Sequence, residues 1–205
     1  MRLRLLGLVI TGLIGGALIG LAVVPGARDK LIERFQPTQV MSIGKAAVGG
    51  PFTLTDHTGR RVTDQDFRGK YMLVYFGFTF CPDVCPTGLQ VMAAALDQLG
   101  PKAEEIIPIF ISVDPERDTP EQLAQYVPSF HSRLIGLTGS PEEIQSVAKA
   151  YRVYFRKVKD EKSTAEYTID HTSIIYLMDP NGEFVAHFTH ATPVDVMVEK
   201  LEKVL

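Results

Sequence analysis

The sequence lacks clusters of basic residues, internal repeats and low-complexity segments, and it contains only two cysteines in 205 residues. After residue 24 there are 19 basic residues, the total of 21 less Arg2 and Arg4, against 24 acidic ones, so the formal net charge of that part is −5. Without a basic patch interleaved with aromatic residues, nucleic acid is not an expected partner. Any thiol chemistry must use Cys81 and Cys85, which three residues separate.

One long uncharged run is present, from Leu5 to Val24. In a helix that rises 1.5 Å per residue, such a run spans roughly 30 Å, which is about the hydrocarbon thickness of a bilayer. A cleavable signal peptide is the alternative, because Arg2 and Arg4 form a basic start. However, the run is longer than the roughly 7–15 apolar residues of such signals, and the residues after it make a poor cleavage site. We therefore predict an uncleaved transmembrane helix.

The chain is predicted to have three parts. They are an N-terminal cytoplasmic stub with a transmembrane anchor at 1–24, a tether at 25–50 without sustained periodicity, and a folded domain at 51–205. Only four residues precede the apolar run, so a mitochondrial transit peptide is not expected. We predict a single-pass protein of a bacterial inner membrane, with its soluble domain facing the periplasm.

Apolar periodicity predicts alternating strands and helices in the domain. Continuous apolar runs at 71–76 and 106–113 predict two strands buried on both faces, the first of them central in the sheet. Helical spacing after Pro86 predicts a helix that Gly100 and Pro101 end. Further strands are predicted in two hairpins and in two short segments, at 52–62, 173–188, 134–137 and 153–158.

Three later helices share one start signal, a hydroxyl residue followed by proline. The hydroxyl can accept a hydrogen bond from a free backbone amide, and proline suits the first helical position because no amide donor is needed there. The three hydroxyl residues are Thr119, Ser140 and Thr192. The resulting order of elements predicts an α/β, thioredoxin-like fold, in which helices flank a mixed sheet and the cysteines occupy the first strand-to-helix turn.

The position and spacing of the cysteines leave three uses open: a soft metal site, a redox-active dithiol or a fixed disulfide. A helix N-terminus lowers the pKa of a nearby thiol, and Cys85, just before Pro86, is expected to feel this most. A fixed disulfide across so short a loop would stabilise the fold little. Two thiolates and an imidazole would suit Cu(I), or Cu(II) completed by water or a carboxylate. A structural zinc site would normally take four protein ligands.

Five histidines could supply the imidazole. His171 is the preferred candidate because it lies in the loop that enters the second hairpin, and in thioredoxin-like folds this loop adjoins the cysteine turn. Asp170 is interpreted either as a hydrogen-bond acceptor that orients His171 or as a solvated carboxylate. The other histidines are expected in polar turns or at a strand end: His57, His131, His187 and His190.

Two further segments near the cysteines can each be interpreted in two ways. Phe78 and Phe80 are apolar residues of the turn, and they form either a docking surface for an acceptor or part of the core. The segment 114–120 follows the second buried strand and could shape the rim of the turn. Its last three residues are already explained as the start of a helix.

Three motifs together carry a resemblance to a known family: YFGFTFCPDVCPT at 75–87, SVDPERDTP at 112–120 and DHTSIIYLMDPNG at 170–182. From about residue 50 to the end, the chain closely resembles the Sco family, membrane-anchored copper proteins that assist assembly of cytochrome c oxidase. The resemblance implies that Cys81, Cys85 and His171 bind one copper ion per domain, as Cu(I), Cu(II) or both.

The resemblance implies two alternative roles. As a metallochaperone, the protein would deliver copper to the binuclear centre of cytochrome c oxidase subunit II, supplied by an upstream periplasmic copper donor. As a thiol–disulfide oxidoreductase, it would use Cys81 and Cys85 to reduce the cysteines of that centre or of another exported protein, and a thioredoxin-like reductant would reset it. His171 is essential for the first role and dispensable for the second.

Overall fold

The computed structural model of the protein describes residues 48–159 and 166–205. The predicted transmembrane anchor and all but the last three residues of the predicted tether lie outside this part of the chain. Within the two described ranges, no helix has the length and apolar character needed to cross a bilayer. The division into anchor, tether and domain stays a prediction.

Nine strands and four α-helices make up the described fold. The strands are β1 (Thr53–Asp56), β2 (Arg61–Thr63), β3 (Tyr71–Gly77), β4 (Ile106–Ser112), β5 (Ile135–Thr138), β6 (Phe155–Val158), β7 (Thr168–His171), β8 (Ile174–Met178) and β9 (Phe184–Thr189). The helices are α1 (Val84–Leu99), α2 (Pro120–Tyr126), α3 (Pro141–Ala150) and α4 (Val194–Glu202). Short 3₁₀ helices occur at Asp64–Phe67, Gly100–Glu105 and Val127–Ser129.

Seven of the strands form one mixed sheet, in the order β2-β1-β5-β4-β3-β8-β9. Strand β4 pairs in parallel with both β3 and β5, whereas the remaining pairs in the sheet are antiparallel. This is the predicted thioredoxin-like arrangement, including both hairpins. The parallel core explains why β3 and β4 are continuous apolar runs, since helices cover parallel strands on both faces. Strand β3 is interior as expected, but β4 rather than β3 occupies the middle of the sheet.

Two of the three predicted helix starts are confirmed. Thr119 Oγ1 accepts a hydrogen bond from the backbone amide of Gln122 at 3.3 Å, and α2 begins at Pro120. At α3 the capping is reciprocal, because the Ser140 hydroxyl accepts from the Glu143 amide while the Glu143 carboxylate accepts from the Ser140 amide. Both helices therefore begin where the sequence places them.

The third predicted start is wrong. Helix α4 begins at Val194, and Pro193 stands at its N-cap without a side-chain hydrogen bond. The Thr192 hydroxyl accepts from the Thr189 amide at 3.0 Å, inside the turn that leaves β9. A hydroxyl before proline can serve the preceding turn as well as the following helix, so the motif alone does not decide.

Strands β6 and β7 form a separate two-stranded antiparallel ribbon, with Phe155 opposite His171 and Val158 opposite Thr168. Strand β6 was predicted, but β7 was not, because its sequence is short and half polar. His171 therefore ends a strand and does not lie in an irregular loop. Most of the polar loop predicted at 159–166 falls outside the described residues.

Gly77 allows the start of α1 to approach the end of β3 closely. A methyl group on its Cα would lie 2.7 Å from Cys85 Sγ and 2.8 Å from a ring carbon of Phe110. Both neighbours are fully buried, so neither side chain can move aside into solvent. Glycine is thus required here by space rather than by backbone conformation.

We expect Gly77→Ala to lower the free energy of unfolding by about 1–3 kcal/mol, because it overpacks a closed site. Urea denaturation of the reduced protein measures this loss. Gly50→Ala is the matched control, since the added methyl group would lie at an ordinary 3.5 Å from the Ala150 side chain. Equal stability of the two variants would contradict the close approach at Gly77.

Candidate metal centre

The two cysteines lie where the chain passes from β3 into α1. Cys81 is half-buried, and Cys85 is fully buried in the first turn of the helix. The helix begins at Val84, two residues before its predicted start at Pro86. The Cys81 amide donates to the Phe78 carbonyl at 3.2 Å, and the Cys85 amide donates to Cys81 Sγ at 3.4 Å. The turn therefore folds the first sulfur back onto the helix N-terminus.

His171, at the end of β7, completes a group of three side chains. Its Nε2 lies 3.2 Å from Cys85 Sγ, and its ring stands edge-on to Phe78 with centroids 5.7 Å apart. The two sulfurs and an imidazole nitrogen all lie within 4.8 Å of one another. Among the residues that the structure describes, no other group of three such side chains converges in this way. The three predicted ligands are thus brought together by two segments that are far apart in sequence.

A hydrogen bond at the far side of the imidazole orients the ring. His171 Nδ1 lies 3.1 Å from the Thr172 carbonyl oxygen. A carbonyl can only accept, so Nδ1 carries a proton, and Nε2 is the ring nitrogen that faces the sulfurs. Metal-ligating histidines are commonly oriented by a carbonyl in this way. The Thr172 carbonyl fills the role that Asp170 was considered for, and the Asp170 side chain is exposed.

The pKa values of the two thiols are shifted in opposite directions. The pKa of Cys81 is lowered to about 4, chiefly because the Cys85 thiol donates a hydrogen bond to its thiolate, with His171 and backbone amides adding to the effect against burial. The pKa of Cys85 is raised because it donates to Cys81 and is buried. The expectation that Cys85 is the more acidic thiol is therefore wrong. The helix amide of Cys85 points at the sulfur of Cys81 and not at its own.

We expect iodoacetamide to alkylate Cys81 of the reduced protein at nearly the same rate from pH 6 to pH 8, since its thiolate is already formed above a pKa of about 4. An ordinary thiol would react ~100-fold faster at pH 8 than at pH 6, because its thiolate fraction rises tenfold per pH unit. Mass spectrometry of the labelled peptides measures both sites. Cys85→Ala removes the principal donor, so the rate at Cys81 should then rise with pH. A ~100-fold rise in the parent protein would contradict the assignment.

The other four histidines lie elsewhere in the fold. His57 Nδ1 accepts from the Gly136 amide at 3.2 Å, and the His131 ring lies 3.7 Å from Asp97. The His187 ring stacks on a phenylalanine of its own strand. His190 lies in the turn after β9. None of them belongs to the group formed with the cysteines.

Asp118 is a residue of the site that sequence reasoning missed. It is fully buried, and its carboxylate accepts from the Thr79 amide at 2.9 Å, the Thr79 hydroxyl at 2.6 Å and the Ser112 hydroxyl at 2.6 Å. Burial raises the pKa of this carboxyl, against those hydrogen bonds. Asp118 ties the cysteine turn to the end of β4. Its place before Thr119 had suggested only the start of a helix.

The structure also separates the two aromatic residues of the turn. Phe78 is 1 % exposed and packs under the His171 ring, so it belongs to the core. Phe80 is 56 % exposed, directly before Cys81. The core interpretation therefore holds for Phe78, whereas Phe80 is exposed and docking at its side chain stays a prediction.

Two sulfurs and one imidazole nitrogen form a donor set with open positions. Soft thiolates favour Cu(I), and imidazole suits copper and zinc, whereas hard cations such as Mg²⁺ and Ca²⁺ need oxygen ligands. The same two sulfurs are free thiols here and lie on one short turn. Metal binding and reversible disulfide formation are both chemically available to this group.

The model of one protein family, SCO1/SenC, matches residues 40–205. The chain belongs to the SCO1/SenC family. Relatives include the mitochondrial SCO1 homolog 1 of Arabidopsis thaliana, 49% identical over 79% of this chain, and the mitochondrial SCO1 homolog of Homo sapiens, 47% identical over 88%. The matched region covers 48% and 60% of those two proteins, so this chain spans about half to three fifths of their length.

Solved structures of the family share the fold. Arabidopsis thaliana ScoI with copper bound is 47% identical, with a TM-score of 0.73 over 77% of this chain and 98% of the other. BsSco is 26% identical, with a TM-score of 0.61 over 79% and 96%. It is described as a member of the Sco family of cytochrome c oxidase assembly proteins that has a disulfide switch.

Proposed function

We propose that the protein binds one copper ion through Cys81, Cys85 and His171 and delivers it to the binuclear copper centre of cytochrome c oxidase subunit II. The observation that carries this proposal is the convergence of two sulfurs and a correctly oriented imidazole within 4.8 Å. A homologous plant ScoI has copper bound. The donor set fits copper, as Cu(I) with three ligands or as Cu(II) with added water or carboxylate.

The burial of the three ligands supports transfer rather than storage. Cys81 and His171 are half-buried, so an acceptor's ligands can approach copper from their side. Cys85 lies fully buried behind them. Copper can then be transferred to the acceptor by ligand exchange, in which an acceptor ligand replaces Cys81 or His171 before Cys85 dissociates from the ion.

His171→Ala should abolish high-affinity copper binding while leaving the dithiol oxidisable, because it removes one ligand and neither sulfur. Titration of the reduced full-length protein with Cu(I) against a competing chelator measures affinity, and electron paramagnetic resonance reports nitrogen ligation of Cu(II). The matched control is His187→Ala, which removes an imidazole outside the group. Copper affinity equal to that of the parent in His171→Ala would rule out the three-ligand site.

The alternative function is thiol–disulfide exchange, which the contrast in thiol acidity favours. The Cys81 thiolate would attack an acceptor disulfide, displacing one acceptor thiolate and forming a mixed disulfide. Cys85, after losing its proton, would attack Cys81 Sγ and release the second acceptor thiolate. The acceptor gains two electrons as a dithiol, and this protein ends as the Cys81–Cys85 disulfide, which a thioredoxin-like reductant returns to the dithiol.

The two functions are distinguished in cells whose oxidase depends on this protein. If copper delivery is the role, His171→Ala and Cys81→Ser should both lower the copper content of subunit II, because each removes a ligand. If thiol reduction is the role, only Cys81→Ser should do so, since exchange needs no imidazole. Copper content and oxidase activity of isolated membranes are the measurements. Normal oxidase in His171→Ala would contradict delivery and support reduction.

The location proposed for this chemistry is outside a bacterial inner membrane. The uncharged run at 5–24 would anchor the protein by a single pass, and the tether would hold the domain in the periplasm. There it could receive copper from a periplasmic donor and meet the exposed domain of subunit II. The support for this location is the sequence of the first 50 residues.

A further inference from the structure

The turn after β4 lies between the two segments that supply the metal ligands. Its side chains contact the cysteine turn on one side and the residues at the start of β7 on the other. Asp118 serves the cysteine turn through Thr79. The preceding residue, Arg117, contacts both segments at once.

Arg117 reaches the histidine strand through Tyr167, which directly precedes β7. Its Nη1 donates to the Tyr167 carbonyl oxygen at 3.1 Å, and its guanidinium carbon lies 3.8 Å from the centre of the Tyr167 ring. The Tyr167 hydroxyl donates to Asp114 at 2.8 Å, and Arg117 Nε donates to the other oxygen of the same carboxylate. Arginine, tyrosine and a fully buried aspartate thus form one closed set of contacts.

Arg117 reaches the cysteine turn through the two aromatic residues before Cys81. Its guanidinium carbon lies 4.7 Å from the centre of the Phe80 ring and 5.9 Å from that of Phe78. Phe78 in turn contacts the His171 ring. The guanidinium is largely buried, with the side chain 18 % exposed, so these cation–π contacts are partly shielded from water.

We propose that Arg117 is a positioning residue that holds the cysteine turn and β7 at the separation needed for Cys81, Cys85 and His171 to share one metal ion. The inference rests on the proposed copper site. Arg117 is not itself a ligand. It acts through Phe80, which directly precedes Cys81, and through Tyr167, which lies four residues before His171.

Only arginine can make these contacts together. The planar guanidinium stacks on an aromatic face while its edge donates to the Asp114 carboxylate and to the Tyr167 carbonyl. A lysine ammonium keeps the charge and can pair with the carboxylate, but it has no plane to stack and cannot form the same fork. Arg117→Lys therefore removes the positioning contacts and keeps the charge.

The experiment compares the full-length parent, Arg117→Lys and His171→Ala, with Arg68→Lys as matched control. Arg68 also donates to a buried carboxylate, that of Asp64, at 2.6 Å. We expect about tenfold weaker Cu(I) binding in Arg117→Lys, between the parent and His171→Ala, and an altered nitrogen coupling in the Cu(II) spectrum. Arg68→Lys should bind copper as the parent does.

A second readout needs no copper. Hydrogen exchange of the reduced apoprotein should be about tenfold faster at the β7 amides of Arg117→Lys than in the parent or in Arg68→Lys. Unchanged exchange at β7, or copper binding affected no more than in Arg68→Lys, would overturn the inference. If the parent bound copper no better than His171→Ala, the proposed function would fail, and exchange at β7 would still decide the role of Arg117.

Discussion

The site depends on one contact between distant segments, the 3.2 Å approach of His171 Nε2 to Cys85 Sγ. The two residues are 86 positions apart, and Cys85 lies in helix α1 whereas His171 lies in the two-stranded ribbon. Cys85 is fixed by the helix that follows β3, and His171 by the ribbon β6–β7. Between them lie three buried residues and one partly exposed arginine: Phe78, Asp114, Asp118 and Arg117. The convergence of these three side chains is therefore a property of the tertiary structure.

Much of the scaffold could be predicted from the sequence because its signals are local. Strands β3 and β4 are uninterrupted apolar runs, and the capping contacts of Ser140 lie within four residues of one another. Cys81, Cys85 and His171 were predicted to lie together from the position of the turn and from the resemblance to the Sco family, and they lie within 4.8 Å of one another. These features are encoded within short windows or in recognisable motifs.

The missed features depend on contacts that no short window contains. Strand β7 is half polar and is specified by its partner β6, and the roles of Arg117 and Asp118 depend on groups that the fold brings beside them. The order of thiol acidity was inverted because helix position alone was considered. The hydrogen bond that the Cys85 thiol donates to the Cys81 thiolate is the chief reason that the order is reversed, and the Cys85 amide adds to it.

The ribbon that presents His171 has two strands of four residues each and is not hydrogen-bonded into the seven-stranded sheet. An isolated two-stranded ribbon is only marginally stable in water. An ion bound to His171 and to both cysteines would link this ribbon to helix α1. The free energy of ion binding would then include the free energy of ordering the ribbon. The protein would then be stiffest when loaded, and release of the ion would return conformational freedom to the segment that held it. That gain in entropy would favour unloading at the moment an acceptor takes over the ligands.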